Sequence, residues 1–434
     1  MTLRSGPLGH VPGALSSGAL SSRTWSLGLA LLGSALLSLG SGCAGGDVRT
    51  VTPHPELTQG ARANLELARV QQVALPDYGV LNPDEFAGVA PDPARRLIYL
   101  GTRGGTLLAL SMETGDVEWE QQFPGAISSV PVIADDGELL LLGTDNGDLL
   151  ALELDDRKTR WSYATLGTIR NAPLVVGPTV HVVNSRDQVF ALDLETGAWR
   201  WQYDQPYPIE FTVHGHAGLS HVAGEGDDPD LLFTGFSNGK VAAIGAGTGE
   251  ALWLANVAPP AGGDFVDADG TPLVLPGRGE VVVTGQSTGV YGLALADGAQ
   301  RWHRPLRGAG SVVAGPRGLM IVASALEGVF ALEQGGRVRW RQQLDPGFVQ
   351  TPLIVGDIAF VAHSDTGLLA FDVETGEFLA NLDPGSGISG PPVLDPVFSR
   401  LYTLSNRGML VVFRTVGESR GLAEAPGQAV SAVR

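Results

Sequence analysis

The side chains of this sequence that could do chemistry fall in a few short stretches, each of which can be weighed by its spacing. Asp264, Asp267 and Asp269, followed by Gly270, present carboxylates at intervals like those of a calcium loop. Set on its glycine, that loop would have its first ligand at Phe265 and its twelfth at Pro276, and neither carries a side-chain oxygen. His214, His216 and His221 have ring nitrogens suited to a transition metal, but their spacing matches no structural zinc site, and loop histidines are more often solvated. Gly285-Gln286-Ser287-Thr288-Gly289 has the Gly-x-Ser-x-Gly form of a nucleophile turn. Such a turn must join a strand to a helix, whereas strand-like segments flank this one on both sides. Asp227, Asp228 and Asp230 read as a solvated loop. No paired acid and base stands out, so a non-catalytic protein without metal or cofactor is the expectation.

Cys43 is the only cysteine, which rules out an intrachain disulfide. Ahead of it, Arg4 and Arg23 are the only charges, and the apolar run from Leu27 to Leu39 is too short to span a bilayer but suits a signal-peptide core. Gly40, Ser41 and Gly42 lead into the cysteine. The segment resembles a bacterial lipoprotein signal, with Gly40 where a leucine is usual and Leu39 one place further back. The resemblance implies that Cys43 is lipidated and becomes the mature N-terminus, and Ala44 behind it implies the outer membrane. Residues 1–42 are then a lipoprotein signal peptide, and 43–62, rich in Gly, Pro and Thr, a flexible tether.

The elements that would hold any site come from a repeat. Sixty Gly and twenty-eight Pro without a collagen period point to many turns and short strands. The phrase Gly143 to Leu154, closing at Trp161, reads as strand, tight turn, strand, second turn, strand. In five copies a Trp stands four residues after a Gly: Gly115 and Trp119, Gly197 and Trp201, Gly249 and Trp253, Gly298 and Trp302, Gly336 and Trp340. A further copy has Arg157 in the place of the Gly, and the one at Gly376 has lost its Trp and carries Phe378 nearby. Small anchors recur at Ala109, Ala151, Ala191, Ala243, near Gly292, and at Ala331, Ala370 and Val411. Their spacing of 39 to 52 residues fits four-stranded propeller blades, with insertions before the fourth and fifth anchors.

That makes eight units, of which the eighth lacks its last strand. The stretch from Arg69 to Ala74 echoes Trp340 to Leu344, so residues near 66–75 are expected to supply the missing outer strand and tie the ends of the ring together. The predicted fold is therefore all-β: an eight-bladed propeller of four-stranded antiparallel blades over 63–417, closed by an N-terminal strand, with a disordered tail at 418–434. The net charge of −18 becomes −20 when Arg4 and Arg23 are removed with the leader, which argues against nucleic acid and against an anionic lipid surface.

The repeat resembles the pyrroloquinoline-quinone repeat, whose enzymes hold a quinone against a vicinal Cys-Cys disulfide with Asp, Glu and Asn around calcium. A quinoprotein-like enzyme or a ligand-sensing propeller with a central site is thus the alternative reading, and the missing cysteine pair counts against it. A more specific resemblance lies in the insertions. Asp267, Asp269, Thr271 and Pro272 match the Asp-x-Asp-x-Thr-Pro phrase of BamB, the lipoprotein propeller of the outer-membrane β-barrel assembly machinery. Phe211, Val213, His214 and Gly215 occupy the place of that family's Leu-x-Leu-Arg-Gly loop, with His for Arg. The resemblance implies a periplasmic scaffold on the outer membrane that binds a POTRA domain of a BamA-type insertase, with unfolded outer-membrane proteins as possible further partners. Phe211 and Val213 would be apolar anchors, and Asp267 and Asp269 would orient the basic residue His214. Without any partner, the same aspartates could simply cap backbone N–H groups where a strand opens.

Overall fold

Apolar runs of five or six residues, each closed by a tight turn, bury both faces only when one sheet is laid against the next. The computed structural model of the chain describes residues 49–51, 65–72, 88–206, 217–259, 265–385, 387–395 and 397–415. Eight antiparallel sheets span Val89–Gln122, Val132–Ala164, Leu174–Asp204, Ser220–Asn256, Leu273–Arg304, Ala309–Gln342, Leu353–Leu382 and Val393–Thr415, numbered here as blades 1 to 8. Blades 1 to 7 each run in chain order from an inner strand to an outer one. Helix among the described residues is confined to single 3-10 turns, and none is long and apolar enough to cross a membrane. The fold is the predicted eight-bladed β-propeller.

Blade 8 takes its outer strand from the start of the chain. Leu65–Gln72 pairs antiparallel with Met409–Thr415, Leu65 opposite Thr415 and Gln72 opposite Met409. The core lies between blades. Leu107 and Ala109 of blade 1 pack with Leu140 and Leu142 of blade 2, and on the other side Leu108 and Leu110 pack with Tyr402 and Val412 of blade 8. A further pairing sits in the stretch read as tether: Arg49–Val51 runs parallel to Trp340–Gln342 on the outer edge of blade 6. An unpaired outer edge offers the hydrogen-bonding groups for such an addition.

The Gly and Trp of the repeat turn out to belong to each other across blades. Trp161 of blade 2 lies over Gly197 of blade 3, so close that a Cβ there would fall 2.6 Å from the ring. Trp201 lies likewise over Gly249, Trp253 over Gly298, Trp302 over Gly336 and Trp340 over Gly376. These glycines also have positive φ, from 69° to 74°, which the hairpin turn requires. The indole N–H of Trp161, Trp201, Trp253 and Trp340 donates to a carbonyl of the next blade at 2.8 to 2.9 Å. Each Trp stands opposite its own blade's small anchor, as Trp161 does opposite Ala151. The departures have local reasons. Gly292 replaces Ala because the Trp302 indole lies against it and donates to Glu280 at 2.7 Å. Phe378, near the lost Trp of blade 7, packs on Phe371.

Candidate partner-binding site

The tight turns between the two middle strands and the crossings from blade to blade share one face, called upper here. The short turns after the inner strands and the Gly hairpins share the lower face. Two crossings are long, 205–219 and 257–272, and they flank blade 4 on the upper face. These are the insertions expected from the anchor spacing.

Their described parts are tied together. The Gly218 N–H donates to the Thr271 hydroxyl at 3.1 Å, and the Ser220 hydroxyl donates to the Pro272 carbonyl. Gly218 must be glycine here, because a Cβ would lie 2.5 Å from the Thr271 oxygen. Phe211, Val213, His214 and His216 lie outside the described residues, as does Cys43.

Asp267 and Asp269 bracket a structural peg. In the crossings before blades 2 and 3, Ile127 sits against Gly101 and Ile169 against Gly143, and each donates its N–H to a turn carbonyl at 3.0 Å. Ala268 holds that place before blade 5: it presses on Gly235 and donates to the Phe236 carbonyl at 3.1 Å. The peg sets the neighbouring carboxylates on either side of it, with Asp269 half-buried. Asp267 is fully buried, and its carbonyl accepts the Gln286 N–H at 3.1 Å. Gln286 Nε2 donates to Asp269 Oδ2 at 3.4 Å. Burial, with Asp267 beside it, pushes the Asp269 carboxyl up to about 7, and the hydrogen bonds from its own backbone N–H and from Gln286 offset this only in part. A cation brought to this pair would return Asp269 to its ionised form, so the arrangement suits a basic side chain. Asp269 also accepts its own backbone N–H, so the capping role open to these aspartates is partly filled here.

The remaining sequence candidates do not join them. His221 is 3.3 Å from Asp230, and among the described residues no three His, Cys, Asp or Glu side chains come together as a metal site would need. Ser287 lies in a turn between two strands, Glu280–Gly285 and Gly289–Ala294, and so lacks the geometry of a nucleophile turn.

Two features of this face escaped the sequence reading. Phe265, next to the pair, is 49% exposed at a φ of 58°, and the upper turn of blade 6 and the crossing into blade 7 add exposed Leu326 and Phe348. An exposed bulky residue held at positive φ is a strained arrangement, the kind that marks a working surface. Asp187 stands in blade 3 at a turn position held by Gly105, Gly147, Gly239 and Gly408 in other blades, and shares their positive φ. It is fully buried and accepts the backbone N–H and the hydroxyl of Ser237, each at 3.1 Å, which pins the turn of blade 3 to that of blade 4.

Compared with known families, the chain matches the model described as outer membrane protein assembly factor BamB over residues 68–138, 132–293 and 286–415. The chain belongs to the BamB family. BamB of Shewanella oneidensis is 24% identical over 325 residues, covering 74% of this chain and 69% of that one. BamB of Bordetella pertussis is 28% identical over 226 residues, 50% of this chain and 56% of that one. The crystal structure of Moraxella catarrhalis BamB superposes with a TM-score of 0.67 at 20% identity, covering 81% of this chain and 99% of that chain. The fold is shared with quinoproteins: the quinohemoprotein alcohol dehydrogenase of Comamonas testosteroni gives a TM-score of 0.63 at 14% identity, covering 87% of this chain and 80% of that chain. The quinone's donor set does not fit this BamB relative. The propeller has no cysteine for a vicinal pair, and no carboxylate cluster for a metal occurs among its described residues.

Proposed function

We propose that this chain is a non-catalytic scaffold of the outer-membrane β-barrel assembly machinery. It is held on the periplasmic face of the outer membrane through lipidated Cys43 and binds a BamA-type insertase through the two upper-face crossings beside blade 4. Membership of the BamB family supports the machinery. The observation that carries the binding site is the adjoining carboxylates of fully buried Asp267 and half-buried Asp269, in a crossing tied to its neighbour and next to exposed Phe265. Half-buried Asp269 offers a basic group an acceptor and an apolar neighbour, with Asp267 behind it. On this reading Phe211 and Val213 add apolar contact and His214 is the basic residue of the pair of loops.

The test is retention of the insertase from detergent-solubilised envelope on the immobilised chain. The wild type retains it. Asp267→Asn with Asp269→Asn weakens retention about ten-fold or more, as expected for losing a charge-assisted contact, and leaves the melting temperature within a few degrees. A wild-type chain that retains no insertase ends the machinery reading. A double variant that retains it fully moves the site elsewhere.

A further inference from the structure

On the lower face, opposite the candidate site, the repeat breaks its own rule. Seven hairpins join a third strand to an outer one, and six of them place a glycine at positive φ: Gly115, Gly197, Gly249, Gly298, Gly336 and Gly376. The hairpin of blade 2 has Arg157 there, at a φ of 63°. A left-handed arginine costs about 1 kcal/mol or more relative to glycine, so something must offset it. Its guanidinium stacks on Trp119 of blade 1, 5.5 Å from the ring, where the other blades stack Trp on Gly. No carboxylate pairs with Arg157 among the described residues.

Arg157 and Trp119 line a cavity of about 460 Å³ together with Arg96, Glu113 and Glu118. Arg96, also at positive φ, is 2.5 Å from Glu113 and stacks over Phe398 of blade 8. Arg400 stacks on the same ring, and Phe398 and its neighbour Val397 are exposed. A stripe of guanidinium groups and apolar side chains thus crosses blades 8, 1 and 2 in a chain whose net charge is −18.

The register of blade 8 says what this stripe faces. Arg400 pairs with Arg414, and Thr415 pairs with Leu65. The strand Leu65–Gln72 therefore begins at the Phe398 end of the blade, on the lower face, and Arg49–Val51, parallel to Trp340–Gln342 on blade 6, also runs away from the lower face.

We propose that this lower-face stripe is a phospholipid-headgroup site, with the phosphate taken between Arg96 and Arg157 and a primary ammonium taken by Glu113 and Glu118. This rests on the lipid-anchored reading, which gives the face its membrane. Both signs of charge line the cavity, which fits a zwitterion. The overall negative charge opposes a purely anionic surface. Phe398 and Val397 would enter the interfacial layer beside the headgroup.

The test uses the full chain with Cys43→Ala, which lacks the anchor, and flotation with vesicles of phosphatidylethanolamine and phosphatidylcholine. The chain floats with these vesicles, soluble phosphoethanolamine displaces it, and inorganic phosphate does so poorly. Arg157→Gly restores the repeat's glycine, so its melting temperature stays level or rises, while the floated fraction falls about five-fold. Arg96→Ala acts in the same direction. The proposal is overturned if the chain does not float, or if both variants float as the wild type does. It is also overturned if Arg157→Gly lowers the melting temperature and leaves flotation unchanged, which would make the stack purely structural. Lipid labelling of the wild type reads the Cys43 anchor separately, so that reading can fail while the headgroup site stands.

Discussion

Asp187 shows how one residue can trade local comfort for a link between blades. Its backbone has a φ of 57°, which an aspartate adopts at less cost than most side chains, and its carboxylate is the acceptor for Ser237. Burial dominates those two hydrogen bonds and pushes its carboxyl up to about 6 from the ordinary 3.8. The native state therefore keeps a proton that the unfolded chain has lost between about pH 4 and 6. By linkage this group's contribution favours folding below about pH 4 and is lost as pH rises through 6. Asp187→Asn keeps an acceptor for Ser237 and tolerates the left-handed turn, but does not titrate. Its unfolding free energy, relative to the wild type, should rise by about 2 kcal/mol between pH 4 and pH 7. Urea unfolding at the two pH values measures this, and a difference that stays constant with pH would show that Asp187 does not titrate in that range.

At the scale of the element, the working unit is a Trp of one blade on a Gly hairpin of the next. Gly197 and Gly356 separate its two components. Both have positive φ, at 69° and 58°, but a Cβ on Gly197 would strike the Trp161 ring while one on Gly356 would meet nothing within 4 Å. Gly356→Ala should cost only the left-handed backbone, about 1–2 kcal/mol. Gly197→Ala should cost about 1–3 kcal/mol more for overpacking against the ring. Equal losses in denaturant titrations would mean that the ring gives way freely and the contact is loose. This unit was legible in the sequence because both its parts repeat at fixed spacing in five of the blades. The outer strand near Arg69 was legible for a related reason: the eighth unit lacked one strand, and the segment echoes Trp340 to Leu344. What the spacing hid are the contacts made between blades. That Arg157 would stack on Trp119, or that Asp187 would reach Ser237, depends on which turn the ring sets beside it. At the candidate site the Asp-x-Asp phrase was legible, but its burial was not, since that follows from Ala268 being pegged into Gly235.

For the whole molecule the question is what keeps a ring of eight sheets shut. Blade 8 combines strands from the two ends of the described chain, with Leu65 paired to Thr415. Its other strands, Val393–Asp395, Arg400–Leu404 and Met409–Thr415, would otherwise present an unpaired edge beside the tightly packed contact of Tyr402 and Val412 with Leu108 and Leu110 of blade 1. A closing pair so distant in sequence forms only after most of the ring is in place, because loop-closure entropy must be offset by contacts already made. Stability should therefore depend on this strand more than its eight residues suggest. A chain beginning at residue 76 is expected to melt at least about 5 °C lower, over a broader transition, and to aggregate through the exposed edge of Met409–Thr415. A synthetic peptide of residues 63–74 added in trans should raise the melting temperature as its concentration grows, in the logarithmic manner of a ligand that binds only the folded state. A truncated chain that melts like the full one, or a peptide without effect at any concentration, would mean that blades 1 to 7 and three strands of blade 8 close the ring unaided.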